Sequence, residues 1–372
     1  MTIKLPASVI NFAAGDTTLY ENFTDYWNHF RSQNSDKQYP YTKTDKDGKS
    51  ITFAQKEEAL NAMLIREISK RSGVDLTSIP LEQAAGHPLV SWAAGNIVSQ
   101  MIDAILPATM VEGTSMYADI RSVGFGESAV FNIKSRDLFP VTKVGHLGMR
   151  TAEMHKGYER QVTLYPEMRQ ITVGVSLFRV LSGLESLADF TVKSMLSINT
   201  ELTRDIYTAF ATSMAALSDD ATTGLRLTGY TQLAMTQLAQ KVSGFMGNAK
   251  VVVLGSKAAL SYILPDDTNT RAYYDSDYVK VGYVRTISGL DTFEIPQVPD
   301  WKNPFATFVA DDKVYLVAPG TDKIVKCVLG GSTISNVDSQ FNNADLRQDA
   351  TFYKSWTTGV VTSSLGGTIE VA

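Results

Sequence analysis

The chain has 372 residues, 44% of them hydrophobic and 20% charged, with a formal net charge of −5 at pH 7. That length allows a large core, or two domains, without covalent staples, and the charge is far from the strongly basic balance of a dedicated nucleic-acid binder. The single cysteine, Cys327, excludes an internal disulfide framework and a cysteine-rich metal site.

The opening MTIKLPASVINFAAG lacks the continuous apolar stretch of a signal peptide. No run of about eighteen apolar residues appears, so the expectation is a soluble chain made inside the cell, with no membrane span. Tyr20, Phe23, Tyr26, Trp27 and Phe30 recur at three- and four-residue spacing, which predicts a short amphipathic helix with an aromatic stripe. Such a stripe is buried on its own domain or laid as a clasp on another subunit. Residues 51–72 predict a second helix, with Phe53, Leu60, Leu64 and Ile68 on one face and Gly73 as its stop. A third, apolar helix is expected over 91–106, ending before Pro107.

From Tyr117 to Val180 the pattern is strand-like, with strands expected at Ala129–Lys134 and Gln161–Leu164. Between them, residues 134–160 carry six basic residues (Lys134, Arg136, Lys143, Arg150, Lys156, Arg160) against three acidic ones (Asp137, Glu153, Glu159). So few apolar residues cannot build a core, so this stretch is expected to project as a two-stranded arm that needs a surface to lie on. The glycines of Gly124-Phe125-Gly126 suit a hinge at its root. Ile171, Val173, Val175 and Leu177 then alternate with polar or small residues, a half-buried strand that Gly183 breaks.

Leu184, Leu187, Met195, Ile198, Leu202, Ile206, Phe210 and Leu217 mark one face of a long helix over about 184–217, roughly 50 Å at 1.5 Å per residue. A helix near 230–243, an apolar strand at Ala249–Leu254 and a helix at Ser256–Ile263 follow as an α/β unit. Further strands are expected at Val279–Ile287 and Phe293–Val298, then a hairpin of Phe305–Val309 with Val314–Val317, and last Lys354–Ser363 and Thr368–Val371.

Chemistry is sparse. His29, His87, His146 and His155 are scattered, with no pair at metal-ligand spacing. The chain has no phosphate loop and no nucleophile elbow, and Gly124-Phe125-Gly126 lacks the third glycine of a dinucleotide fingerprint. Asp219–Asp220, Asp266–Asp267 and Asp311–Asp312 are adjacent pairs suited to turns. Cys327, in the apolar run KIVKCVLGG, reads as buried and inert. No catalytic residue, metal site or cofactor is expected.

This order of elements resembles the major capsid proteins of tailed bacteriophages, the Hong Kong 97-type fold, over about 85–372. The resemblance implies an α+β fold divided as follows: an N-terminal arm with helices over 1–84, and 85–124 leading into a peripheral domain. An extended β-hairpin loop would span 125–170, and the peripheral domain with its spine helix 171–244. An axial α/β domain would cover 245–350, with strands of 351–372 returning to the peripheral domain. It also implies a function without catalysis: self-assembly, as hexamers and pentamers, into an icosahedral head. The partners it implies are other copies, a portal, scaffolding or decoration proteins, and packaged double-stranded DNA held non-specifically. The place it implies is the virion, after assembly in the bacterial cytoplasm. Lys134, Arg136, Lys143, Arg150, Lys156 and Arg160 would contact the neighbouring subunit, with Tyr26, Trp27 and Phe30 as aromatic anchors. Two alternatives are an encapsulin-like nanocompartment shell and, in another class, a soluble α/β enzyme.

Overall fold

The computed structural model of the chain describes residues 17–34, 38–44, 48–76, 78–133, 139, 141–143, 159–217, 224–266, 274, 278–300, 303–320, 322–337, 348–360 and 364–371. The fold is α+β. Helix α1 (Thr17–Asn34) carries the aromatic stripe, and α2 (Phe53–Ser72) begins in a capping box. There the Thr52 hydroxyl accepts from the Gln55 backbone while Gln55 reaches back to the Thr52 N–H. Gly73, at φ 69°, closes α2 in the left-handed conformation.

After α3 (Leu81–Ala85), the core helix α4 runs from Pro88 to Thr114, through Pro107, where the sequence predicted an end. Ile97, Met101, Ile102, Ile105 and Leu106 are all buried. Their packing outweighs the cost of about 3 kcal/mol that an interior proline imposes, and the Thr109 hydroxyl donates to the Leu106 carbonyl at 2.9 Å just beyond it. By length and composition the Pro88–Pro107 stretch could cross a membrane, but 78% of its apolar window is buried inside the molecule, as befits a core helix.

Strands β1 (Ala118–Val123), β2 (Ala129–Ile133), β3 (Arg160–Leu164) and β4 (Glu167–Val175) come next. A short helix α5 (Leu177–Leu181) leads to the spine α6 (Leu187–Ala215). The spine has 29 residues, about 43 Å at 1.5 Å per residue. It starts at Leu187 because Ser186 caps it, its hydroxyl accepting from the Asp189 N–H, so Leu184 lies outside the helix.

The second half adds β5 (Arg226–Thr228), α7 (Gln232–Phe245), β6 (Val252–Gly255) and α8 (Lys257–Ser261). Then come β7 (Thr286–Ile287), β8 (Leu290–Glu294), β9 (Pro299–Asp300), β10 (Asn303–Thr307) and β11 (Lys313–Val317). The long strands β12 (Val325–Val337) and β13 (Gln348–Val360) and the short β14 (Gly367–Glu370) finish the chain.

Two sheets organise these strands. A four-stranded sheet has the order β1-β12-β13-β4, and a six-stranded sheet has the order β5-β14-β11-β6-β8-β7. The main core joins α1, α2, α4 and α6 to the four-stranded sheet and to one face of the six-stranded one. The other face of the six-stranded sheet packs on α7 and α8. Adjacent residues of β6 and β11 therefore serve different cores: Val252, Leu254, Tyr315 and Val317 face the spine, while Val253, Val314 and Leu316 face α7. An unbroken apolar run is what a strand covered on both faces requires.

That burial overturns the predicted hairpin of 305–309 with 314–317. Strand β11 pairs with β14 and β6, and β10 pairs with β9. Most of the predicted strand 279–287 is likewise absent. Residues 278–281 are helical and only Thr286–Ile287 is strand, after Gly282 at φ 90° and before a turn at Ser288 and Gly289 with positive φ.

The expected division of the C-terminal half also shifts. Strand β12, placed by sequence with 245–350, lies in the four-stranded sheet, and β14 lies in the six-stranded one. Gly366 and Gly367 allow that last crossing. A Cβ on Gly367 would meet the Leu238 side chain of α7 at 2.9 Å, and one on Gly366 would strike Met214 of the spine.

Candidate assembly surfaces

Strands β2 and β3 form a two-stranded antiparallel ribbon of their own, paired from Ala129↔Leu164 to Ile133↔Arg160. Its inner side is small. Ala129 and Phe131 pack on Val328 of β12, with Val123, Ile133, Val162 and Leu164 around them. The Arg121 guanidinium stands 4.2 Å from the Phe131 ring centroid, and its Nη1 donates to the Val130 carbonyl at 3.1 Å. A turn fixes the start of the ribbon. Gly126 has φ 77°, Glu127 N donates to the Gly124 carbonyl, and the Glu127 carboxylate accepts from Gly124 N at 2.9 Å. The ribbon is thus clamped at its base.

Beyond Ile133 the described residues are open to solvent: Phe139 is 61% exposed, Val141 97%, and Lys143 is exposed. Arg160, at the last described pair of the ribbon, is exposed as well. Of the other predicted arm contacts, Lys134, Arg136, Arg150 and Lys156 lie outside the described residues.

The aromatic anchors need correction. Tyr26 and Trp27 are 2% and 5% exposed, and Phe30 packs partly buried beside them. Tyr26 stacks on Phe53 of α2 at 4.8 Å, and Trp27 on Phe30 at 5.7 Å. The stripe is consumed by the subunit's own core, because α2 offers an apolar face on the same chain. It leaves Tyr26 and Trp27 no surface for a neighbour.

Sequence reasoning missed a cleft of about 580 Å³ between α2 and the turn that opens the spine. Ala54, Glu57, Glu58, Asn61, Leu184 and Glu185 line it. Asn61 ties its two walls together: Nδ2 donates to Ser186 Oγ at 2.9 Å, and Oδ1 accepts from Ala188 N at 3.1 Å. Leu184 is 69% exposed, and Glu185 is bridged by Arg179 at 2.8 Å. Three carboxylates, of Glu57, Glu58 and Glu185, thus share the cleft with the exposed Leu184 side chain. The adjacent glutamates in QKEEALNAM and Glu185 just before the spine were the available signal.

A second cleft, of about 440 Å³, lies between the spine and the β4–β13 edge, lined among others by Arg169, Ile171, Glu201, Phe352 and Trp356. Asp205 closes its end, accepting from Trp356 Nε1 at 2.9 Å and pairing with Arg169 at 3.1 Å.

Titratable groups elsewhere are held in structural roles. Burial pushes the Cys327 thiol up to about 12, with Asp205 adding to the effect, which leaves it no thiolate near neutrality. Asp266 accepts from Gln232 N at the start of α7, and Asp311 accepts from Ser256 and Gln297. His29 stacks on Tyr41 at 4.2 Å, and His87 Nδ1 accepts from Leu89 N. Among the described residues, no group of three His, Cys, Asp or Glu is placed to hold a metal.

Neither a protein-family model nor a curated protein matches the chain. Solved structures similar to it include the asymmetric unit of the bacteriophage PhiM1 mature capsid, at 10% identity and TM-score 0.49, covering 69% of this chain and 86% of that one. The capsid of a native GTA particle aligns at 10% identity and TM-score 0.46, over 70% of this chain and 90% of that one. A virus-like particle from Pyrococcus furiosus aligns at 8% identity and TM-score 0.41, over 72% and 98%.

Proposed function

We propose that this chain is the major capsid protein of a tailed bacteriophage, a structural subunit whose copies close into an icosahedral head around double-stranded DNA. The observation that carries this reading is the β2–β3 ribbon. It is anchored on β12 through a minimal apolar cluster, Phe139 and Val141 are exposed, and the sequence over 134–160 has six basic residues against three acidic ones. A two-stranded ribbon is marginal alone in water. Its basic and apolar groups need a complementary surface, and a second copy supplies one.

In this reading, Lys134, Arg136, Lys143, Arg150, Lys156 and Arg160 reach the carboxylates of the Glu57–Glu58–Glu185 cleft on the next subunit, while arm apolar residues cover Leu184. Exposed ion pairs contribute only about 0–1 kcal/mol each, so closure comes from repeating many weak contacts around a symmetric particle. The spine and four-stranded sheet form the peripheral unit, and the six-stranded sheet forms the axial unit around which hexamers and pentamers gather. Portal, scaffolding or decoration proteins and non-specifically held DNA complete the partners, and assembly takes place in the bacterial cytoplasm.

Electron microscopy of the purified chain tests this. Closed shells or capsomer rings are expected. Discrete monomers at high concentration would exclude it. Reversing the cleft's charge with Glu57→Lys and Glu58→Lys is expected to block closure while leaving the subunit folded.

A further inference from the structure

Beside the packed junction of the spine and the six-stranded lobe lies a cavity of about 180 Å³. Tyr117 and the spine residues Asn199, Thr200 and Thr203 line one side, and Pro296 and Gln297 of the 295–299 strap line the other. Two buried polar atoms of this lining have no hydrogen-bond partner among the described residues, Tyr117 Oη and Asn199 Oδ1. The Tyr117 side chain is inside the core, packed on Phe210 at 4.6 Å.

The neighbouring polar groups are already engaged. Gln297 Nε2 donates to Val309 O and Asp311 Oδ1, and its Oε1 accepts from Val309 N. Tyr207 Oη accepts from Ala310 N at 2.9 Å and lies 3.3 Å from Tyr315 Oη. Neither can turn to Tyr117 or Asn199 without giving up a bond. No charged side chain lines the cavity, so its occupant is neutral. It must donate to Asn199 Oδ1 and exchange a hydrogen bond with the Tyr117 hydroxyl. Water meets both demands, and at about 30 Å³ per molecule the space holds a small cluster.

We propose that this cavity is a hydrated joint: ordered water bonded to Tyr117 Oη and Asn199 Oδ1 bridges the core and spine to the 295–299 strap of the six-stranded lobe. Buried polar groups in folded proteins are satisfied almost without exception, by water where no side chain reaches. A water-mediated seam between two lobes re-forms its hydrogen bonds after small displacements more readily than a direct one. Beside the shared apolar core, the direct polar contacts at this junction among the described residues include the Tyr207–Tyr315 and Tyr207–Ala310 bonds and a 3.9 Å approach of Arg204 to Asp300.

The test uses the unaltered chain first. A density map fine enough to show solvent is expected to place water at about 2.7–3.2 Å from both Tyr117 Oη and Asn199 Oδ1. An empty cavity, a single larger solute, or a direct Tyr117–Asn199 bond overturns the proposal. Tyr117→Phe supplies an independent sign. Losing a water-bonded hydroxyl is expected to lower Tm by roughly 1–3 °C, whereas removing an unsatisfied one leaves Tm unchanged or raises it.

Discussion

Lys354 Nζ stands 2.6 Å from Asp103 Oδ1, with the two side chains 5% and 1% exposed. The pair belongs to a backbone irregularity. The β12–β13 register shifts between Gly330 and Ile334, with Gly331 at φ 50°, and a bulge of this kind leaves ladder groups unpaired. Lys354 Nζ takes the Gly331 carbonyl at 2.9 Å, and the Asp103 carboxylate accepts from Thr333 N at 2.7 Å and Thr333 Oγ1 at 2.6 Å. The core helix is thereby stitched to the four-stranded sheet at the register shift.

Removing either charge alone strands the other in a dry interior. Asp103→Leu or Lys354→Met is expected to destabilise the subunit by about 3–5 kcal/mol in urea unfolding. The double variant should recover part of that loss. It should stay below wild type, because Thr333 N–H and the Gly331 carbonyl then lack partners. Full recovery would show that the bulge does not depend on the pair.

Acid sensitivity centres on His29, packed against Tyr41 and Phe53, beside Gln33 and the 2.5 Å Lys56–Asp25 pair. Burial first, then Lys56, hold its pKa below the usual 6.5, against the pull of Asp25. The unfolded chain therefore takes up this proton at higher pH than the folded one. The stabilisation is complete above about pH 6.5 and is lost as pH falls below it. Unfolding free energies measured between neutral pH and about pH 5 should drop more steeply for wild type than for His29→Gln. Parallel curves would contradict the assignment.

Cys327 should resist alkylation. With its thiol buried and pushed up to about 12, a maleimide or iodoacetamide near pH 8 is expected to label it only after denaturant exposes β12. Rapid labelling of the native chain would place the thiol at the surface.

The capping box at Thr52 offers a smaller test of the N-terminal helices. Thr52→Ala is expected to cost about 1 kcal/mol in the same urea unfolding, and no measurable change would argue against the cap.

What could be read from sequence follows the range of the forces concerned. The 3.6-residue rhythm of Leu187, Met195, Ile198, Leu202, Ile206 and Phe210 announced the spine, and all six are buried. Gly73 marked the C-terminal end of α2 through contacts within a few residues. The ribbon's two strands were legible because their alternation and the basic stretch between them are local. Neighbours in a sheet are not local. Nothing in Val314–Val317 says that its partners are 252–255 and 367–370, and the nearer Phe305–Val309 was the natural but wrong choice. Pro107 misled because the packing that carries α4 past it comes from other elements. Asp103 and Lys354 each stood as a charge among core-facing residues, but 251 positions separate them, and only the fold brings them together. The fate of the aromatic stripe turned on the same question, whether α2 or a neighbour would cover it.

The most direct measurement removes the arm and keeps its root. Ile133 and Arg160 are the last described pair of the ribbon, so residues 134–159 can be replaced by Asn-Gly, a two-residue turn suited to closing such a ribbon. The shortened chain is expected to keep a cooperative thermal transition and the circular dichroism of a folded α+β subunit, yet to form no closed particles by sedimentation and electron microscopy. Normal shells from that chain would contradict the claim that this segment binds the next copy.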